Sequence, residues 1–172
     1  MSHCFVLVLL EQEQAKEENS VDNLLAPYNE NLKVAPYKTY FDVEDVTSGI
    51  KQYGSEETLI ANIEDWWGEG PGGKDENGIY YMRTRNPDAK WDWYQVGGRY
   101  DGAIPNNICL VRELPENVKC YAIVTPNGKW HERGKLGWFG MISEPNDTWD
   151  HDMLMLLGKH TDCVAVGIDI HI

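Results

Sequence analysis

The chain has 172 residues, 42% of them apolar and 25% charged, with a formal net charge of −13 at pH 7. That length suits a single domain spanning 1–172, and the apolar share is enough for a packed core. The acidic excess argues against direct binding to duplex DNA, while Phe5 to Leu10, followed at once by Glu11 and Glu13, is too short for a membrane span and too quickly acidic for a secretory signal.

The charge is unevenly spread. Residues 1–80 carry sixteen Asp and Glu against five Lys, whereas residues 83–135 carry nine bases against six acids. An acidic first half therefore precedes a basic, aromatic middle, an asymmetry that bears on partners and not on fold. Cys4, Cys109, Cys120 and Cys163 are widely spaced and include no C-x-x-C pair. Reduced, buried thiols in a cytoplasm are expected, and a disulfide framework is not.

Cys4–Leu10 is a continuous apolar run and predicts a buried central strand. Polar residues 11–19 predict a solvated loop or a frayed helix, after which Ser20 is placed to cap a short helix over 21–26 that Pro27 ends. Tyr37–Val43 predicts a second strand, bracketed by Pro36 and by Glu44 and Asp45. The clearest helix follows Ser55. Glu56 and Glu57 suit its first turn, Leu59, Ile60, Ile63, Trp66 and Trp67 recur at helical spacing, and Gly68 ends it. The Gly-rich residues 68–78 read as a mobile connector, or else as a lid.

Ile79–Thr84 and Trp91–Val96 predict strands about an Asn86-Pro87-Asp88 turn. Val118–Thr125 and Lys129–Arg133 predict a hairpin, because Asn127-Gly128 accepts the positive φ of a tight turn. Thr148 or Asp147 caps a last helix through Leu157, and Cys163–Ile172 alternates as a final strand. The sum is an α+β fold with a mainly antiparallel sheet and two or three helices, of the ferredoxin-like kind, with the terminal strands near each other.

Three clusters carry the chemistry. In Trp91 to Gly102, a strand would put Trp91, Trp93 and Gln95 on one face and Asp92, Tyr94 and Val96 on the other. Gly97 and Gly98 free backbone amides to form an anion nest, Arg99 can fork a phosphate or carboxylate, and the aromatic rings can stack on a ligand. The expected ligand-binding wall is therefore Trp91, Asp92, Trp93, Tyr94, Gly97, Gly98 and Arg99. The plainer alternative is a Gly-Gly turn whose Arg pairs with Asp92 or Asp101 while the tryptophans pack inside. The second cluster runs from Trp130 to Gly140 and adds Trp130 and Trp138 to that wall, with His131 near the surface. It reads equally as a ligand wall or a bulged edge strand. The third is Asp169-Ile170-His171, whose spacing of two puts acid and imidazole on one strand face. There Asp169 could orient His171, or the pair could hold a metal with His131 or Asp92, or form a plain surface pair. His131, Asp169 and His171 are the catalytic candidates. No dedicated metal-binding motif and no identifiable cofactor signature is present in the sequence.

The chain resembles an uncharacterised family of small bacteriophage and prophage proteins in Leu25-Ala26-Pro27-Tyr28-Asn29-Glu30-Asn31, in Trp91 to Gly102, in Gly128-Lys129-Trp130-His131 with Gly137-Trp138-Phe139-Gly140, and in Asp169-Ile170-His171-Ile172. The resemblance implies a setting, the cytoplasm of an infected bacterial cell, and no reaction. Two readings follow. One is a non-catalytic phage protein that occupies or inhibits a host protein, such as a defence effector, through its acidic surface or its basic-aromatic pocket. The other is a small enzyme acting on a nucleotide or phosphodiester with Arg99 and either His131 or Asp169 and His171, a variant of which sequesters the nucleotide without turnover.

Overall fold

The computed structural model of the protein describes residues 2–136 and 142–172. Its strands are β1 (His3–Leu10), β2 (Lys33–Tyr40), β3 (Gly72–Asp75), β4 (Gly78–Arg85), β5 (Trp93–Val96), β6 (Ile108–Leu110), β7 (Ala122–Val124), β8 (Trp130–Glu132), β9 (Lys135–Leu136), β10 (Ile142–Ser143) and β11 (Val164–His171). Its α-helices are α1 (Ser20–Leu25), α2 (Val43–Tyr53), α3 (Glu56–Ala61), α4 (Ile63–Trp67) and α5 (Trp149–Lys159). The fold is α+β with mostly antiparallel pairing, and no helix among the described residues is long and apolar enough to cross a membrane.

By internal contacts the chain divides into two units, one made of the segments up to Leu32 and from Asp88 onward, the other of Lys33–Pro87. In the first, a six-stranded sheet runs β5-β11-β1-β7-β8, with β6 also on β11. The terminal strands β1 and β11 are its antiparallel centre, and Leu7 stands opposite Gly167. Central strands need apolar residues on both faces, which the sequence of β1 supplies. Phe5, Leu7 and Leu9 pack with Ile123, Ala165 and the Trp149, Met153 and Leu157 side chains of α5. Val6 and Val8 pack on the other face with Val124, Ile168, Ile170 and Leu25 of α1. Each fully buried Leu contributes about 1.5–3 kcal/mol.

The second unit is a three-stranded sheet, β2-β4-β3, whose Ile79 and Tyr81 pack against Leu59 of α3 and Ile63 of α4.

Several expectations change. The ferredoxin-like arrangement gives way to a larger sheet in which β1 pairs with β7 in parallel. Five α-helices stand where two or three were expected, because residues 43–67 fold as three short ones. The second strand stops at Tyr40, since the Asp42 carboxylate accepts the Asp45 N–H at 2.8 Å and caps α2. Asp42 at its N-cap and Gly54 at φ +86° after its last turn are helix-end signals that the strand reading passed over. The helix after Ser55 breaks at Asn62, whose amide donates back to the Thr58 carbonyl at 2.7 Å. Residues 68–78 are no plain connector but include β3, hairpinned to β4, and a Cβ on Gly72 would lie 2.3 Å from Ile63 Cδ1. Glycine there serves close packing. The last helix runs through Gly158 to Lys159.

Candidate active site

The register of the central strands sets Phe5 opposite Asp169 and His3 opposite His171, while β5 on the other side of β11 sets Trp93 opposite His171. Side chains alternate along a strand, so His3, Asp169, His171 and Trp93 all emerge at one corner of the α5-covered face. His3 Nδ1 meets Asp169 Oδ1 at 2.9 Å, and His171 Nδ1 meets Asp92 Oδ1 at 2.6 Å. The two imidazoles lie edge to face, their centroids 5.1 Å apart, and Trp93 stacks on His171 at 5.4 Å with 13° between planes.

Of the arrangements open for His171, orientation by an aspartate is the one found, but the aspartate is Asp92 from the neighbouring segment. Asp169 holds His3 instead. Asp92 reaches across because it lies just outside β5, where its N–H donates to the His171 carbonyl at 3.1 Å and its own carboxylate accepts the Trp93 N–H at 2.7 Å.

The Gly97-Gly98-Arg99 turn presents one amide to an anion, and that anion is part of the protein. The Arg99 N–H donates to Asp169 Oδ2 at 3.0 Å. Gly98, at φ +56°, has no room for a side chain, since a Cβ would lie 2.6 Å from that of Asp169. The Gly97 N–H donates to the Gly167 carbonyl at 2.9 Å, locking the turn to β11. Asp169 is 1% exposed and accepts from two directions, which is how a buried carboxylate is tolerated. Its field is felt nearby. The Cys4 thiol is pushed up to about 11 by burial and by Asp169, and the Tyr100 hydroxyl is raised by burial with Cys4 and Asp169 adding to it.

This arrangement fixes the chemistry of both rings. A carboxylate only accepts, so each Nδ1 carries the proton and each Nε2 is left to take or give one. Neither Nε2 has a hydrogen-bond partner among the described residues, and neither is a sealed, unsatisfied atom. Two imidazoles so held have the chemical capacity for paired proton transfer. The ligating atoms of His3, Asp92, Asp169 and His171 do not gather in threes closely enough for one metal ion.

The other expected residues have different duties. Trp91 precedes β5 and turns to the opposite face, where its Nε1–H donates to the Leu25 carbonyl at 3.0 Å and its ring meets Tyr94. The Tyr94 hydroxyl bonds the Asp22 carboxylate. Trp130 packs on Tyr28 and donates its Nε1–H to Glu132 Oε2 at 2.8 Å. All three are packing residues. The Arg99 side chain is exposed, on the residue whose N–H meets Asp169. Trp138 lies outside the described residues.

His131 is elsewhere. Its partner on β7 is Ile123, level with Leu7 and Gly167, and β8 stands three strands from β11, about 14 Å at the usual spacing. It lines two adjoining clefts beside α5, of ≈ 280 Å³ and ≈ 340 Å³. Burial, then Lys129, His160 and Lys159, hold its imidazole below the ordinary value. Arg99, His131 and His171 thus do not share one cleft. The residue missed in the sequence was His3, which antiparallel pairing of the terminal strands would have placed opposite His171. No family model, curated protein or solved structure matches the chain.

Proposed function

We propose that the protein is a small enzyme of the phosphoryl-transfer class that cleaves a phosphodiester or nucleotide by paired proton transfer from His3 and His171. The carrying observation is that both rings, 5.1 Å apart, are held at Nδ1 by separate carboxylates. Nε2 of one imidazole takes the proton of the attacking hydroxyl or water as the new P–O bond forms. The Nε2–H of the other gives its proton to the leaving oxygen as the old P–O bond breaks. Asp169 and Asp92 position the rings, and the exposed Arg99 supplies positive charge for the phosphate. Trp93, 43% exposed, offers a ring to a base. The resemblance to phage proteins supports an infected bacterial cytoplasm as the setting.

The test is turnover of an RNA dinucleotide, cyclic nucleotides and an aryl phosphodiester by the purified chain. Loss of either His3 or His171 should lower kcat by about 10²–10⁴, while His131→Ala should leave it intact. No turnover on any of these, or unchanged rates in His3→Ala and His171→Ala, overturns the reading.

A second reading draws on exposed Glu44, Glu57, Glu64 and Asp65 in the acidic segment. Dense carboxylates suit occupation of a basic host protein, including a defence effector. It calls for stoichiometric, salt-sensitive inhibition, since screening acts over about 8 Å at physiological ionic strength. Charge reversal at those four acids would then slow association, with His171→Ala neutral.

A further inference from the structure

Leu10 and Val164 are register partners at the far end of β1 and β11, so Glu11 and Cys163 leave the sheet side by side. His160, just past α5, joins them through a tight turn in which the Cys163 N–H donates to the His160 carbonyl at 2.9 Å. That turn brings His160 Nδ1 to 3.8 Å from Cys163 Sγ. A carboxylate oxygen of Glu11 completes a set of three ligating atoms, all within 4.8 Å of one another. Among the described residues no other set of three meets that closeness.

We infer that Glu11, His160 and Cys163 form a binding site for a divalent transition-metal ion of the zinc type. The donor set carries the choice of ion. Thiolate, imidazole and carboxylate together suit zinc and cobalt, whereas calcium and magnesium take oxygen ligands. The spacing agrees. With metal–sulfur near 2.3 Å and metal–nitrogen near 2.0–2.1 Å, atoms 3.8 Å apart subtend about 120° at the ion, close to tetrahedral.

Three protein ligands leave one position open, the pattern of a metal that meets an outside ligand. Glu11 and His160 line the ≈ 340 Å³ cleft that also contains Thr125, Lys129 and His131. The fourth position would therefore open toward that cleft, where Lys129 suits it to a small anion or a bound hydroxide. Cys163, 4% exposed, forms the buried floor. The site stands at the opposite end of the central strand pair from the two-histidine corner and is independent of the function proposed there.

The experiment is titration of the reduced, full-length chain with Co²⁺, read by absorption. One equivalent should produce a thiolate-to-cobalt charge-transfer band and intense visible bands of a tetrahedral ion, and Zn²⁺ should bleach them. Cys163→Ser should abolish the charge-transfer band, and His160→Ala or Glu11→Gln should weaken binding on the order of tenfold or more. Cys4→Ser should change nothing. Absence of the band in the parent chain overturns the proposal, as does its persistence in Cys163→Ser. If that variant fails to fold by circular dichroism, unaltered affinity in His160→Ala overturns it equally.

Discussion

His3 and His171 are register partners on the two central strands, and their rings meet edge to face 5.1 Å apart. Like groups so close are ordinarily separated unless something fixes them. Here each has its own carboxylate, one from its partner strand and one from the segment entering β5.

The Asp169 carboxylate accepts from His3 at one oxygen and from Arg99 at the other. Asn in its place can accept at one oxygen only and must turn its amide N–H against the remaining donor. Asp169→Asn should therefore cost about 1–3 kcal/mol of stability as well as activity. Denaturant unfolding reads the first loss and steady-state turnover the second.

Gly98 and Gly102 both have positive φ, but only Gly98 is crowded. Gly102→Ala should cost about 1–2 kcal/mol, the price of the left-handed conformation alone. Gly98→Ala should cost more, because Asp169 must also move, and it should impair turnover where Gly102→Ala does not. Equal melting temperatures for the two would refute the packing argument.

Trp91 and Trp93 are two residues apart and serve different ends. Trp91→Ala removes a packed ring and its hydrogen bond to Leu25, so a loss of up to about 3–5 kcal/mol is expected. Trp93→Ala should unfold little earlier than the parent protein, yet should raise KM or lower kcat by freeing the His171 ring. Thermal melts beside steady-state kinetics separate the two.

Burial pushes the Cys120 thiol up from an ordinary 9.0 to about 12. Its folded pKa is raised, so the neutral form is favoured by folding. The resulting stability is fully present below pH 9 and is lost as pH rises from 9 toward 12. Unfolding free energy should fall across that window. Cys120→Ala should start lower and show a shallower decline above pH 9.

Much of the architecture was legible in the sequence. A continuous apolar run marked β1 as a buried central strand, alternation marked β11 as the final strand, and Asn127-Gly128 marked the β7–β8 hairpin. The site was half legible. Spacing of two placed Asp169 and His171 together, but Asp92 and Trp91 sit just before a strand, where alternation no longer governs direction. His3 was overlooked because a lone polar residue at the start of an apolar run carries no motif. Its meaning comes only from the strand that lies beside it. The Gly97-Gly98 turn was read as a nest for an outside anion, whereas the carboxylate met by the Arg99 N–H lies 70 residues further along the chain.

The His3–Asp169 contact spans 166 residues of sequence. Closing so long a loop has an entropic cost that only the completed β1–β11 ladder offsets. A chain halted between β5 and β11 carries His3, Asp92 and Trp93 and still lacks the corner they belong to. The reactivity proposed for that corner thus requires the completed β1–β11 ladder, and partly folded forms of the protein should be chemically inert.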